Sequence, residues 1–304
     1  MYYLKRFAKV VFSVLLIGTL SFLLLDLLPG DPAAAILGVD AAPEEVAALR
    51  ESLGLNKPFF LRYFVWIKGV LSFDFGNSFK YGEPVVELIA RRLPLTLEIS
   101  LVSLLMVFLA SVPLSFLLYK IKNKHIRKIG DFVLGVFISI PSFWLGIISM
   151  FTLGVILRVL RIGYDRSFKS LLLPCFVIAI PKIGVITSHI KSNLEKEMRE
   201  EYIKYLFVNG LQMKWLNLYI FKNSILSVIP LIGIMIIDLI TGTIIVEQIF
   251  SIPGIGRLLI TSVVNRDIPL IQGLIFYTSV ALVLMNFLVD VVSVLIDPRL
   301  REEA

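Results

Sequence analysis

One cysteine, Cys175, in 304 residues leaves no room for an internal disulfide framework or a cysteine-built metal site. Histidine is nearly as scarce: His125 and His189 are the only two, too few for a metal-binding cluster. No G-x-x-x-x-G-K-[ST] phosphate loop, H-E-x-x-H pair or nucleophile elbow occurs, so the chain carries no familiar apparatus for nucleotide hydrolysis or hydrolytic chemistry. No catalytic residue and no metal ligand is expected. Charge is sparse as well, at 17% of residues, where a soluble domain has about 25%.

What is present is apolar. The chain is 57% hydrophobic with a mean hydropathy of +0.87, the composition of an integral membrane protein. Thirty basic against 23 acidic side chains give a net +7. In a membrane protein such an excess marks cytoplasmic loops, so no nucleic-acid partner is expected. Six apolar stretches are long enough for about 30 Å of hydrocarbon: 10–28, 95–119, 132–157, 171–190, 223–246 and 268–296. The third carries no charge at all between Asp131 and Arg158. The fourth is the weakest, holding Pro174, Pro181 and Lys182.

Lysine and arginine orient these spans. With the N-terminus inside, the cytoplasmic segments hold sixteen of them, and the short outer connections with their flanks hold six, from Arg158 to Arg266. Both termini are therefore expected in the cytoplasm, and residues 29–94 outside. The outer segment predicts a helix from Pro43-Glu44-Glu45 to a stop at Gly54. The aromatic run FFLRYFVWIKGVLSF (59–73) reads as a helix lying at the membrane surface, with a docking surface for an extracytoplasmic partner as the alternative.

The most patterned stretch is EKEMREEYIKYLFVNG (195–210), which this topology places in the cytoplasm. Lys191/Glu195, Glu195/Arg199 and Glu200/Lys204 are spaced i,i+4 for a helix. Met198, Tyr202, Tyr205 and Leu206 share one face, and Asn209-Gly210 supplies a stop competent for left-handed backbone. With the amphipathic run LQMKWLNLYIF it predicts a short helical hairpin. Such a hairpin is either a solvated connector or a helix that docks in a groove of a cytoplasmic subunit. Within the spans, Lys182 and Asp238 either face a water-filled path or pair with each other, since intramembrane ionisable residues mark function by default. The glycines of IPGIGR lack the strand–turn–helix context of a nucleotide loop.

Nine segments, in order, are PGDPA (29–33), LGLNKPFFLRYFVW (53–66), DFGNSF (74–79), ELIARRLPLTLEIS (87–100), SIPSFWLG (139–146), residues 201–223, EQIFSIPGIGRLL (247–259), RDIPLIQG (266–273) and DPRLR (297–301). In order and spacing they resemble the inner-membrane permease subunits of ABC importers, in the dipeptide, oligopeptide and nickel branch. The family's coupling motif begins Glu-Ala-Ala, with glycine six residues after the Glu. Here Lys204-Tyr205-Leu206 stand in the triplet while Gly210 matches. The proline that follows the motif is displaced, with Ser227 near its place and Pro230 just after. Gly242 and Glu247 match the family's fifth-span pattern.

The resemblance implies an all-α integral membrane protein of the bacterial or archaeal cell membrane. It would have about six transmembrane helices, cytoplasmic termini, an extracytoplasmic segment between helices 1 and 2, and a coupling helix between helices 4 and 5. The corresponding division is 1–28, 29–94, 95–296 with a coupling segment at 191–222, and a tail at 297–304. Glu201, Tyr202, Tyr205, Leu206, Gly210 and Leu211 would contact an ATPase subunit. Lys182, Asp238, Gly242 and Glu247 are the candidates for the translocation path of a peptide or a related small solute, nickel chelates included. The implied partners are a second homologous permease in a heterodimer, two ABC ATPase subunits, an extracytoplasmic solute-binding protein and the lipid bilayer. ATP and Mg would sit on the ATPases, and this chain would hold no cofactor. A secondary transporter or a homo-oligomeric channel is the alternative.

Overall fold

The structure, a computed structural model, describes residues 2–27, 30–38, 41–158, 163–226 and 228–296. DPRLR at 297–301, the tail to residue 304, Arg161, Ser227 and Pro29 lie outside these residues. The described chain is helical throughout. Its only β pairing is an isolated bridge between Asn77 and Pro84. Contacts divide it into two compact units, Met1–Thr96 with Pro253–Phe287, and Leu97–Ile252 with Leu288–Ala304.

In the first unit, α1 (Tyr2–Asp26) carries a span from Ala8 to Asp26. Two short helices follow, α2 (Pro32–Leu37) and α3 (Pro43–Ser52), the second starting on proline with Glu44 and Glu45 in its first turn, as predicted. The aromatic α4 (Phe59–Leu71) packs along the last turns of α1. Phe22 is ringed by Phe59, Tyr63 and Trp66 at centroid distances of 5.7, 5.5 and 5.3 Å. Tyr63 Oη lies 3.0 Å from Thr19 Oγ1, and Arg62 pairs with Asp26 at 2.6 Å. The opposite face of α4 leaves Phe60, Phe64 and Val65 exposed.

Two long helices begin in this unit, α5 (Val85–Lys120) and α13 (Ile268–Ile296), with the shorter α12 (Ile255–Val264) beside them. Val85, Leu88, Ile89, Ile255, Leu258, Leu270 and Leu274 form the buried core they share. One carboxylate ties the surrounding loops to it. Asp267 is fully buried and caps α13 by accepting the Leu270 amide at 3.3 Å. The same carboxylate accepts the amides of Phe79 and Lys80, at 3.0 and 3.1 Å, and the hydroxyl of Ser78. Thus DFGNSF and RDIPLIQG, nearly two hundred residues apart, meet on one side chain.

In the second unit, α8 (Phe168–Glu197) is central, and α6 (Lys124–Ser139), α7 (Ser142–Ser149), α10 (Met213–Leu226) and α11 (Ile229–Ile249) all pack on it. Pro174 and Pro181 are accommodated in one unbroken helix of 30 residues, so the weakest apolar run is the most buried span. On α5, Ser103, Val107, Ser111 and Ser115 form a fully buried i,i+4 stripe. Ser103 donates to the Cys175 carbonyl at 3.3 Å and Ser111 to that of Ile183 at 3.5 Å. The constant offset of 72 residues means α5 and α8 run parallel, held by small hydroxyls as apolar solvent favours. Gly184 permits the approach of α6: a Cβ there would meet Phe137 Cβ and Ile138 Cγ1 at 2.9 Å.

Three boundaries differ from the hydropathy reading. The uncharged run 132–157 is not one straight span. It breaks between α6 and α7 with a bend of 94°, and α7 continues into a π-helical turn at Met150–Ile156. Pro141 has no amide to donate and drives Ile140 to extended backbone (φ −81, ψ 121), which ends α6. The second span is longer than 95–119, since α5 has 36 residues, or about 54 Å at ~1.5 Å per residue. The fifth apolar helix starts at Ile229, with Pro230 in its first turn, and its spanning part is Leu231–Ile249 rather than 223–246.

Candidate functional site

The patterned stretch at 195–226 folds as a helical hairpin at the end of α8. That helix stops at Glu197, residues 198–200 turn, and α9 (Glu201–Val208) follows. The end of α9 is a Schellman closure. Gly210 sits at φ +83, its amide donates to the Phe207 carbonyl at 3.1 Å, and the Leu211 amide donates to Leu206 at 3.1 Å. The Asn209 side chain adds a bond to the Tyr205 carbonyl at 2.9 Å. A side chain at Gly210 would meet no neighbour, so its requirement is conformational.

The break at 198–200 undoes two predicted ion pairs. Lys191 and Glu195 do pair, at 3.7 Å. Glu195, however, takes Arg127 of α6 at 2.6 Å instead of Arg199, and Lys204 makes no pair with Glu200, because the i,i+4 register needs a continuous helix. Lys191, only 7% exposed, also pairs with Asp131. Arg127, Asp131, Lys191 and Glu195 therefore fasten the root of the hairpin to α6.

A second polar cluster fixes the angle of α9. Tyr202 donates its hydroxyl to the Glu197 carboxylate, and Asn223 of α10 donates to Glu197 at 2.9 Å and to the Tyr202 oxygen at 2.8 Å. Partial desolvation, reinforced by the bond to Glu197, pushes the Tyr202 phenol up to about 12 from its ordinary 10.0. Beneath it the hairpin closes on Ile203, Leu216 and Ile220, each at most 2% exposed.

The outward side of the hairpin is unusually apolar. Tyr205 is 70% exposed and Val208 83%, with Phe207 and Trp215 both more than half exposed. Of the residues singled out from sequence, Glu201, Tyr202, Tyr205 and Gly210 are exposed, while Leu206 and Leu211 are half-buried. Tyr202 is turned to the polar cluster as well as to the surface. Phe207, Val208 and Trp215 were missed by the sequence reading. Their signal was large apolar residues crowding the Asn-Gly stop, where solvated connectors carry polar ones.

The intramembrane candidates separate into two places. Lys182 of α8 and Asp238 of α11 form an ion pair at 2.6 Å, with the Asp238 side chain half-exposed. Gly242 lies one turn further along α11 on the same side, although its surroundings fall outside the described side chains. Glu247, nine residues from Asp238, is on the opposite face and fully buried. The single cysteine is buried, and among the described residues no cluster of His, Cys, Asp and Glu fits a metal.

Comparison with known proteins identifies the family. Residues 92–302 match the model of the binding-protein-dependent transport system inner membrane component, and residues 1–101 match its N-terminal companion. The chain belongs to this family of ABC importer permeases. A Brucella abortus (strain 2308) protein named as a peptide transport system permease is 33% identical over 318 residues, covering 98% of both chains. The nickel import system permease protein NikB of Staphylococcus aureus (strain USA300) is 30% identical over 302 residues, 98% of this chain and 91% of that one. The permease is accordingly a multi-pass protein of the bacterial inner membrane; among the described residues five apolar helices are long enough to cross it, or six where the bent α6–α7 pair counts as one span.

Proposed function

We propose that this permease forms half of the translocation path of an ATP-driven peptide importer. A second homologous permease would supply the other half, with two ABC ATPase subunits below and a solute-binding protein above. Both termini and the hairpin within 191–222 would face the cytoplasm, and the 29–94 segment the outside, as the lysine and arginine distribution favours. The observation that carries the reading is the hairpin: a capped, ion-paired and rigidly rooted element that nevertheless presents Tyr205, Phe207 and Val208 to solvent. Exposed apolar side chains on a well-fixed helix end suit insertion into a partner's groove.

The chain would do no bond chemistry. ATP and Mg would be held by the ATPases, whose closure moves the hairpin and exchanges two conformations of the spans. What this chain contributes is differential affinity for those two states. The Lys182 and Asp238 pair and Gly242 are the residues assigned to the path, while Glu247, which the sequence put with them, lies buried on the opposite face of α11. Peptides are favoured as cargo because the relatives at 33% identity are named for peptide transport. A nickel chelate is the second reading, resting on the 30% relatives named for nickel import.

The test is ATP turnover of the reconstituted complex with and without binding protein. Gly210→Pro demands a φ near −65° where the chain has +83. Stimulation by binding protein should disappear while the ATPases remain attached through the unaltered second permease. Unchanged stimulation would reduce the hairpin to a connector.

A further inference from the structure

Four of the family-like segments that the transport reading leaves without a role converge on one cavity of about 840 Å³ in the first unit. They are 29–33, 53–66, 74–79 and 266–273, contributing Pro32, Lys57 and Trp66, Asn77, and Arg266 among others. The cavity lies at a membrane boundary, since its walls include the last turn of span α1 at Phe22 and Asp26 and the first turns of span α13 at Ile268 and Gln272. The exposed Phe60 and Phe64 of α4 are on the same element as Arg62 and Trp66.

Its polar groups are unbalanced toward donors. Arg50, Lys57, Arg62 and Arg266 line it, against Asp26 and Asp74, and Arg50 is also within 3.9 Å of Asp31. Asp26 is ion-paired with Arg62 at 2.6 Å, while Asp74 accepts the Gly76 amide at 2.9 Å. Two buried donors have no partner, Arg62 Nε and Trp66 Nε1, and both residues line the cavity. Neighbours cover both atoms, so each side chain must turn before an occupant can reach them. An orphaned buried donor is costly, and beside a surplus of cations an anionic acceptor satisfies it most strongly.

We propose that the cavity binds the phosphate of an anionic phospholipid, with the acyl chains running along α1 and the exposed face of α4. The leaflet is the outer one on the topology argued above, but the site does not depend on what the importer carries. Basic pockets between spans hold acidic headgroups by this chemistry, and tryptophan at the interface is suited to it.

The three tryptophans are Trp66, Trp144 and Trp215, the last two about half-exposed. The full chain carrying Trp144→Phe and Trp215→Phe therefore reports on the cavity through Trp66 alone. In nanodiscs, acyl-brominated phosphatidylglycerol should quench Trp66 at roughly fivefold lower mole fraction than brominated phosphatidylcholine, the effect of about one surface cation's attraction. Arg62→Gln should erase most of that preference. Lys57→Gln, on an exposed residue outside any ion pair, should weaken it in a protein whose fold is undisturbed. Equal quenching by the two lipids, or a preference untouched by both substitutions, would overturn the site. So would relief of phosphatidylglycerol quenching by a tripeptide, which would make the cavity a solute site instead.

Discussion

At the scale of single residues, the structure gives definite work to side chains that composition merely counts. Tyr202 is held neutral by partial desolvation and by its bond to Glu197. Its folded-state value lies above the ordinary one, so its contribution to hairpin stability is complete below about pH 10 and lost as pH rises toward 12. In the absorbance difference between wild type and Tyr202→Phe, one tyrosine should titrate near pH 12; a component near 10 would contradict the bond. Lys182 and Asp238 make the second case. A charge in mid-span costs about 2.5–3.5 kcal/mol on insertion scales, and mutual neutralisation offsets part of that. Lys182→Met or Asp238→Asn should each lower transport in reconstituted vesicles, and exchanging the two residues should restore most of it. Single variants that behave as wild type would remove the pair from the path. Asp267 shows what sequence left unread: an aspartate before Ile-Pro is a legible helix cap, but its bonds to Ser78, Phe79 and Lys80 come only with the fold.

Helices were legible where one physical signal dominates. Apolar length revealed the spans, and Pro43 with Gly54 bracketed α3. Asn209-Gly210 ended α9 where left-handed backbone was expected. Hydropathy is blind to direction, however, and so 132–157 read as one span although Pro141 turns it through 94°. Charge spacing failed at 198–200 because Glu195 was drawn to Arg127, on a helix 68 residues earlier. Conversely, two prolines counted against α8, which is held together by burial on several neighbouring helices. Close packing makes a prediction here. Gly184→Leu places a side chain where even a Cβ meets Phe137 and Ile138 at 2.9 Å. Overpacking of this kind costs about 1–3 kcal/mol, so the thermal midpoint of the detergent-solubilised permease should fall. An unchanged midpoint would mean that α6 and α8 are not in contact at this position.

For the whole molecule, family and docking surface differ in how much of each is written in the sequence. Membership of the permease family was readable from the order of short segments, and the family match spans residues 1 to 302. The exposed apolar end of the hairpin was not, because Phe207 and Val208 could as well have been buried. Their exposure, on an element rooted by four charges, is the physical basis of the coupling role proposed for it. Cross-linking tests that directly. Cys175 is buried and is the chain's single cysteine, so Val208→Cys introduces one accessible thiol at the most exposed of these positions. In the assembled importer, a short thiol-reactive cross-linker should join this residue to an ATPase subunit, with a yield that changes between nucleotide-free and ATP-bound states. Failure to cross-link to any ATPase in either state, in a complex that still hydrolyses ATP, would contradict the coupling assignment.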